Sequence, residues 1–185
     1  MSITQAIRSL KEEMKREEIF PEKGLGTECF QFASTLMPVV NVDLLITNDK
    51  HEILLSWRND SHCGTGWHIP GGCIRLMETV AERIQKTALA EIGVNVFAEP
   101  DPIKFSEIFS KIHREGIEDQ RERAHFITLV YKCRIPKEYS IPEERSIPGK
   151  VGSLQWFGNL PDDLLQVQDC YRSDWKTIKE KLMED

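Results

Sequence analysis

No apolar run in this 185-residue chain reaches the roughly 18 residues that cross a bilayer, which excludes a membrane-spanning helix from the reading. The first residues, MSITQAIRSLKEEMKREE, are charged and hold no apolar core of a secretory signal, so a soluble cytoplasmic protein is expected. Cysteine is sparse: residues 29, 63, 73, 133 and 170 form an odd set with no C-x-x-C spacing, which argues against a disulfide framework. The group His62, Cys63, His68 and Cys73 lacks the paired short spacings of a zinc site and reads as ordinary loop and strand residues. Positive charge is also short. With 24 Lys and Arg against 30 Asp and Glu, the net charge is -6, and a polyanion-binding face is not expected. The segment HREGIEDQRERAH balances three arginines with four acids and reads as a solvated hairpin tip, so no nucleic-acid partner is expected. There is no internal repeat and no low-complexity tract.

What is present suits a single domain with a sizeable core. An amphipathic helix is expected over residues 3–18, with Ile3, Ile7, Leu10 and Met14 on one face, Ser2 and Gln5 as a capping box, and Pro21 ending it. We therefore divide the chain into an N-terminal helix, 1–20, and one domain, 21–185. The apolar stripe of that helix is expected to pack on a second subunit or across the sheet, with a homodimer the expected assembly. Strands are expected near 27–36, 39–47, 52–58, 67–70, 103–113, 123–135 and 151–157, with a tight turn at Asn48, Asp49 and Lys50. Helices are expected at 79–92, 161–166 and 171–183, and residues 135–149, with three prolines, read as a surface loop. The pattern predicts an α/β/α sandwich around a mixed sheet.

Chemistry concentrates between Gly71 and Val94, GGCIRLMETVAERIQKTALAEIGV. A Gly-Gly turn can expose a backbone carbonyl, a hard oxygen ligand, because glycine tolerates the dihedrals required. In the following helix Val80, Ile84, Ala88, Leu89 and Ile92 form one buried stripe, leaving another face for chemistry. Written G-x5-E-x7-K-x4-E-x-G, with Gly72, Glu78, Lys86, Glu91 and Gly93 at the fixed points, the segment resembles the loop-helix-loop box of the Nudix hydrolases. The resemblance implies an α/β/α fold and three glutamates, at positions 87, 90 and 91, around one to three magnesium ions. Here those positions read Thr87, Ala90 and Glu91.

One carboxylate cannot build that cluster, but with the Gly71 carbonyl and substrate phosphates it suits a single Mg²⁺, or Mn²⁺ in its place. Such an ion would stabilise a departing diphosphate, with water attacking the sugar carbon of a nucleotide sugar. The altered box is similar to that of the GDP-mannose mannosyl hydrolases. Upstream, NVDLLITNDKHEILLSWRNDSHCGTGWHIPGG continues the similarity, with Asp43 and Arg58 at the positions that there contact sugar and diphosphate. Trp67 and Pro70 also fit.

The resemblance thus implies a Mg²⁺-dependent hydrolase of a GDP-hexose, with Gly71 and Glu91 holding the metal and Asp43, Arg58 and Lys86 serving substrate and catalysis. Three positions depart from the subfamily: Cys73 and Lys86 replace arginines, and Lys150 with Val151 stands where a Gln-His pair supplies a metal ligand and the base. Glu143 or Glu144 could enter the site from the loop, and His113 and His125 are candidate bases. Plainer roles stand beside these: an Asp43–Arg58 ion pair, a Lys86–Glu82 salt bridge, and Glu78 favouring the helix N-terminus. Two rival functions remain open, a pyrophosphatase cutting at phosphorus and an inactive ligand-binding module.

Overall fold

The computed structural model describes residues 1–60, 63–100, 109–112 and 125–183. Its centre is β1 (Val39–Thr47), whose side chains from Val42 to Ile46 are all buried. Continuous burial requires cover on both faces, and alternation decides what each residue meets. Val42, Leu44 and Ile46 join the cluster with Ile84 and Ala88 of α3 (Val80–Glu91) and with Ile92, which caps that helix. Leu45 joins the opposite cluster, with Tyr171, Ile178 and Leu182 of α4 (Cys170–Met183). The expected α/β/α sandwich is met, with α3 and α4 on opposite faces.

Parallel pairing of β1 with β7 (His125–Arg134) runs the whole length of β1, from Val39 opposite Phe126 to Thr47 opposite Arg134. On its other side β1 is shared. Its last residue pairs antiparallel with β2 (Ile53–Asp60), whereas Asn41–Asp43 pair with β4 (Gly71–Cys73). Between those two, β2 is flanked by β3 (Gly64–His68) and β8 (Leu154–Phe157). The short strands β5 (Phe97–Ala98) and β6 (Phe109–Ile112) pair with β7. This divergence of β1 from β2 opens the sheet beside the Gly-Gly turn.

The Asn48 turn forms as expected, its Oδ1 accepting from the amides of Lys50 (2.9 Å) and Glu52 (3.0 Å). Helix α1 (Ile3–Arg16) carries the Ser2–Gln5 capping box, and none of its residues is buried. Residues 27–36, expected as a strand, instead form a helix, α2 (Thr27–Leu36). Its residues Thr27, Phe30, Gln31 and Ser34 line a cavity against Val40 and Ile74, and this three- and four-residue spacing is one that a strand could not present. The helix expected at 161–166 is replaced by a 3-10 turn at Gln166–Gln168. Within the expected 103–113 strand only residues 109–112 are described, and the hairpin tip lies outside the described residues.

Candidate active site

Strand alternation sorts the expected site residues onto two faces. On β2, Leu55 points to the α4 side and Leu54 to the α3 side, so Arg58 shares the α3 side. Asp43 points the other way, where its buried carboxylate accepts hydrogen bonds from Asn41 and from the Tyr171 hydroxyl of α4. The expected Asp43–Arg58 pair is therefore not formed, because the sheet separates them. Burial, with the Asp43 charge beside it, pushes the Tyr171 phenol well above its ordinary value, so it remains a donor.

Asp43 also explains Gly71. A Cβ there would lie 2.4 Å from Asp43 Oδ1, so any other residue would collide with the carboxylate. Bonds between this turn and β1 fall on the alternate residues, from the Leu44 amide to Pro70 (2.8 Å) and from the Ile74 amide to Val40 (2.9 Å). That alternation leaves the Gly71 carbonyl facing away from β1. At Gly72 a Cβ would come within 2.6 Å of Thr87 Oγ1, so the helix packs directly on the turn.

At the C-terminal end of α3, Glu91 meets β2 and β3. Its Oε1 lies 3.8 Å from Arg58 Nη2 and its Oε2 lies 3.5 Å from His68 Nε2. Both separations are longer than a formed hydrogen bond. Burial pushes Glu91 up, but His68, Arg58 and Arg145 together hold it below the ordinary carboxylate value, so it is ionised. Arg58 also pairs with Asp60 at 3.3 Å. His68 donates through Nδ1 to the Ser56 carbonyl at 2.7 Å, and its buried Nε2 has no hydrogen-bond partner among the described residues. Gly93, at φ +90°, ends the helix just beyond.

The loop between β7 and β8 brings an arginine to this site in place of the expected carboxylate. Arg145 donates to the backbone carbonyls of Glu91 and, at 2.9 Å, of Gly152, while Glu143 and Glu144 are exposed. Val151, at the position of the expected histidine, is 62% exposed. His125 opens β7 opposite Ile112, five residues before the Val130 that lies level with Asp43, and His113 lies outside the described residues.

The other end of α3 is closed by a different carboxylate. Glu78 accepts from Arg83 Nε (2.7 Å) and Nη2 (2.9 Å), from Lys86 Nζ (2.9 Å), and from the Arg75 amide (2.9 Å). Burial opposes its charge, but the Arg75 amide, Lys86 and Arg83 outweigh this and hold it at about 2. Lys86 thus pairs with Glu78 and not with Glu82, whose carboxylate is taken by the Thr79 capping box. Leu89, expected in the buried stripe, is half exposed because it falls on the flank of the helix.

Among the described residues no three His, Cys, Asp or Glu side chains gather as a metal cluster. A divalent ion must then rely on Glu91, the Gly71 carbonyl, water and substrate oxygens. The donor set fits one: Glu91 is ionised, partly exposed, and has no close hydrogen bond consuming its oxygens. Asp43 cannot contribute, being enclosed by Asn41 and Tyr171.

Sequence reasoning missed His68, Arg145, Arg83 and Gln168 as parts of this arrangement. His68 was discoverable from its alternation with Trp67, which places the two side chains on opposite faces. Gln168, whose amide takes the Ile69 N–H (2.7 Å) and donates to its carbonyl (3.1 Å), has no local signal, since its partner is 99 residues away.

The chain and its fold have counterparts among known proteins. The NUDIX domain family matches residues 37–169. A low-salt glycan biosynthesis protein, Agl8 of Haloferax volcanii, is 29% identical over 101 residues, covering 54% of this chain and 60% of its own length, so the chain spans less than two thirds of that relative. Among solved structures, a UDP-X diphosphatase superposes with TM-score 0.54 at 17% identity, covering 96% of this chain and 79% of its own. A MutT NUDIX hydrolase from Burkholderia pseudomallei superposes with TM-score 0.52 at 20% identity, covering 80% and 99%. With the Gly71–Gly93 box folded as a turn, a helix and a glycine stop, and the family match spanning most of the chain, this protein belongs to the NUDIX domain family.

Proposed function

We propose that this protein is a divalent-metal-dependent hydrolase of a nucleoside diphosphate sugar, GDP-mannose or a related GDP-hexose, acting by water attack at the sugar C1. The observation that carries the reading is the single carboxylate on the working face of α3. Thr87 is buried against Gly72, Ala90 has no donor, and the adjoining loop contributes Arg145 rather than an acid. Attack at phosphorus calls for a cluster of carboxylate-held ions, whereas departure of an intact diphosphate from carbon needs less. The Haloferax relative's role in glycan biosynthesis supports a sugar-linked substrate.

Each residue then has a distinct part. Glu91 and the Gly71 carbonyl would hold the divalent ion, which when bound would supply Lewis-acid stabilisation of the leaving diphosphate. Arg58, a third exposed beside Glu91, faces the substrate and binds the diphosphate oxygens. Asp43 is assigned to positioning: from the far face of the sheet it holds Asn41 and Tyr171 and shapes the Gly71 turn. Lys86 and Arg83 act through Glu78 to hold the loop that follows that turn. A homodimer built on the exposed stripe of α1 completes the proposal.

Hydrolysis in ¹⁸O-labelled water tests the bond that breaks. Attack at C1 forms the new C–O bond from water and releases GDP with the original bridging oxygen. The label then enters the sugar hydroxyl, the nucleotide is unlabelled, and the anomer is inverted by a single displacement. Label in phosphate would replace this reading with a pyrophosphatase, and no turnover of any nucleotide sugar would replace it with a binding module.

A further inference from the structure

We propose that His68 Nε2 is a direct ligand of the divalent ion, so that the site favours Mn²⁺ or another cation that accepts imidazole over Mg²⁺. The inference rests on the reading of Glu91 as a metal ligand and adds a residue from a different strand.

Three observations converge on His68. The ring is 4% exposed, and its Nδ1 donates to the Ser56 carbonyl at 2.7 Å. That bond requires the proton on Nδ1, so the neutral ring carries its lone pair on Nε2. A backbone carbonyl on one imidazole nitrogen and a metal on the other is the arrangement that orients ligating histidines generally. Second, Nε2 is buried with no hydrogen-bond partner among the described residues, an unfavourable state unless some ligand engages the nitrogen. Third, Nε2 lies 3.5 Å from Glu91 Oε2. Two ligands bound to one ion at about 2.0–2.2 Å stand about 3.0–3.4 Å apart, so very little movement is needed for both to share one.

The surrounding fold keeps the ring in place. His68 is paired with Ser56 in the β2–β3 ladder, and the next residue, Ile69, has both backbone groups held by Gln168. Arg58 approaches the other oxygen of Glu91, at 3.8 Å, and can turn to the diphosphate without disturbing Oε2. Ligand chemistry then sets the preference. Mg²⁺ strongly favours oxygen donors, whereas imidazole suits the later transition ions, with Mn²⁺ at the weak end of that series.

Binding of the metal alone to the full-length protein, without substrate, tests this. Electron spin echo modulation of the Mn²⁺-loaded protein should show a ¹⁴N coupling from imidazole. His68→Gln and His68→Asn should each abolish that coupling and weaken Mn²⁺ binding at least about tenfold, with Mg²⁺ affinity changed by less than about threefold. The asparagine variant keeps a donor for Ser56, and circular dichroism confirms that each variant is folded. Bound Mn²⁺ that depends on Glu91 but shows no ¹⁴N coupling, or a coupling that survives both substitutions, would overturn the His68 assignment and leave the Glu91 reading standing. Mn²⁺ binding that is absent, or unaffected by Glu91→Gln, would overturn both.

Discussion

Helix α3 carries a buried or half-buried glutamate at each end, and the two are treated in opposite ways. Glu78, just before the helix, receives four hydrogen bonds of 2.7–2.9 Å from Arg75, Arg83 and Lys86. Among the described residues, Glu91, at its last turn, has no side-chain hydrogen bond: His68 Nε2 stands 3.5 Å and the Arg58 guanidinium 3.8 Å from its oxygens. The first carboxylate is saturated and can do nothing further; the second is ionised but still has lone pairs to offer. Carboxylate chemistry in this fold is thus a matter of what the neighbours leave unsatisfied, and the box motif alone does not tell the two apart.

Breaking the unsaturated end should have the largest effect on activity. Glu91→Gln is expected to lower turnover by on the order of 10² or more, since it weakens the ion that stabilises the leaving group, while the urea midpoint stays close to the parent. Unchanged turnover would remove Glu91 from the site. At the saturated end the same substitution should act on stability. Glu78→Gln leaves Arg83 buried without its partner, and a loss of about 3 kcal/mol in urea unfolding is expected.

The same comparison has a pH signature. Glu78 is depressed from its ordinary value near 4.5 to about 2, so its contribution is complete above pH 4.5 and is lost as pH falls from there towards 2. The parent should lose more stability than Glu78→Gln across that window, and parallel curves would show that the network stores no such energy. Arg145→Ala should cost about 1–2 kcal/mol, because the Glu91 and Gly152 carbonyls each lose a donor. Its turnover should fall less than that of Glu91→Gln. Smallest is the expected effect of removing residues 1–20 on the unfolding of the domain, within about 0.5 kcal/mol, since α1 buries no residue. Sedimentation should nonetheless report dissociation to monomers, and a parent that is already monomeric would end the dimer proposal.

Much of the domain was legible because local pattern and tertiary packing agreed. The mainly apolar strand β1, the capping box of α1 and, apart from Leu89, the stripe of α3 appear where their periodicity placed them. Residues 27–36 read otherwise from sequence because TECFQFASTL is short and balanced between periods; as a helix it sets Thr27, Phe30, Gln31 and Ser34 along the cavity that Val40 and Ile74 also line. Lys86 illustrates the same limit at the site. The i–4 rule pointed to Glu82, but that carboxylate serves the helix cap, and the lysine reaches back eight residues to Glu78.

By itself, the sequence determined the family, the identity of the box, and the loss of two of three expected carboxylates, because these are properties of residue type at fixed spacing. Only the tertiary structure decided that Asp43 and Arg58 face opposite sides of the sheet, that Arg145 rather than Glu143 or Glu144 reaches Glu91, and that His68 stands beside it with a free nitrogen. The physical reason is that a catalytic contact is made across strands and loops. Its partners are set by register, strand alternation and packing between segments far apart in the chain, which no local spacing encodes.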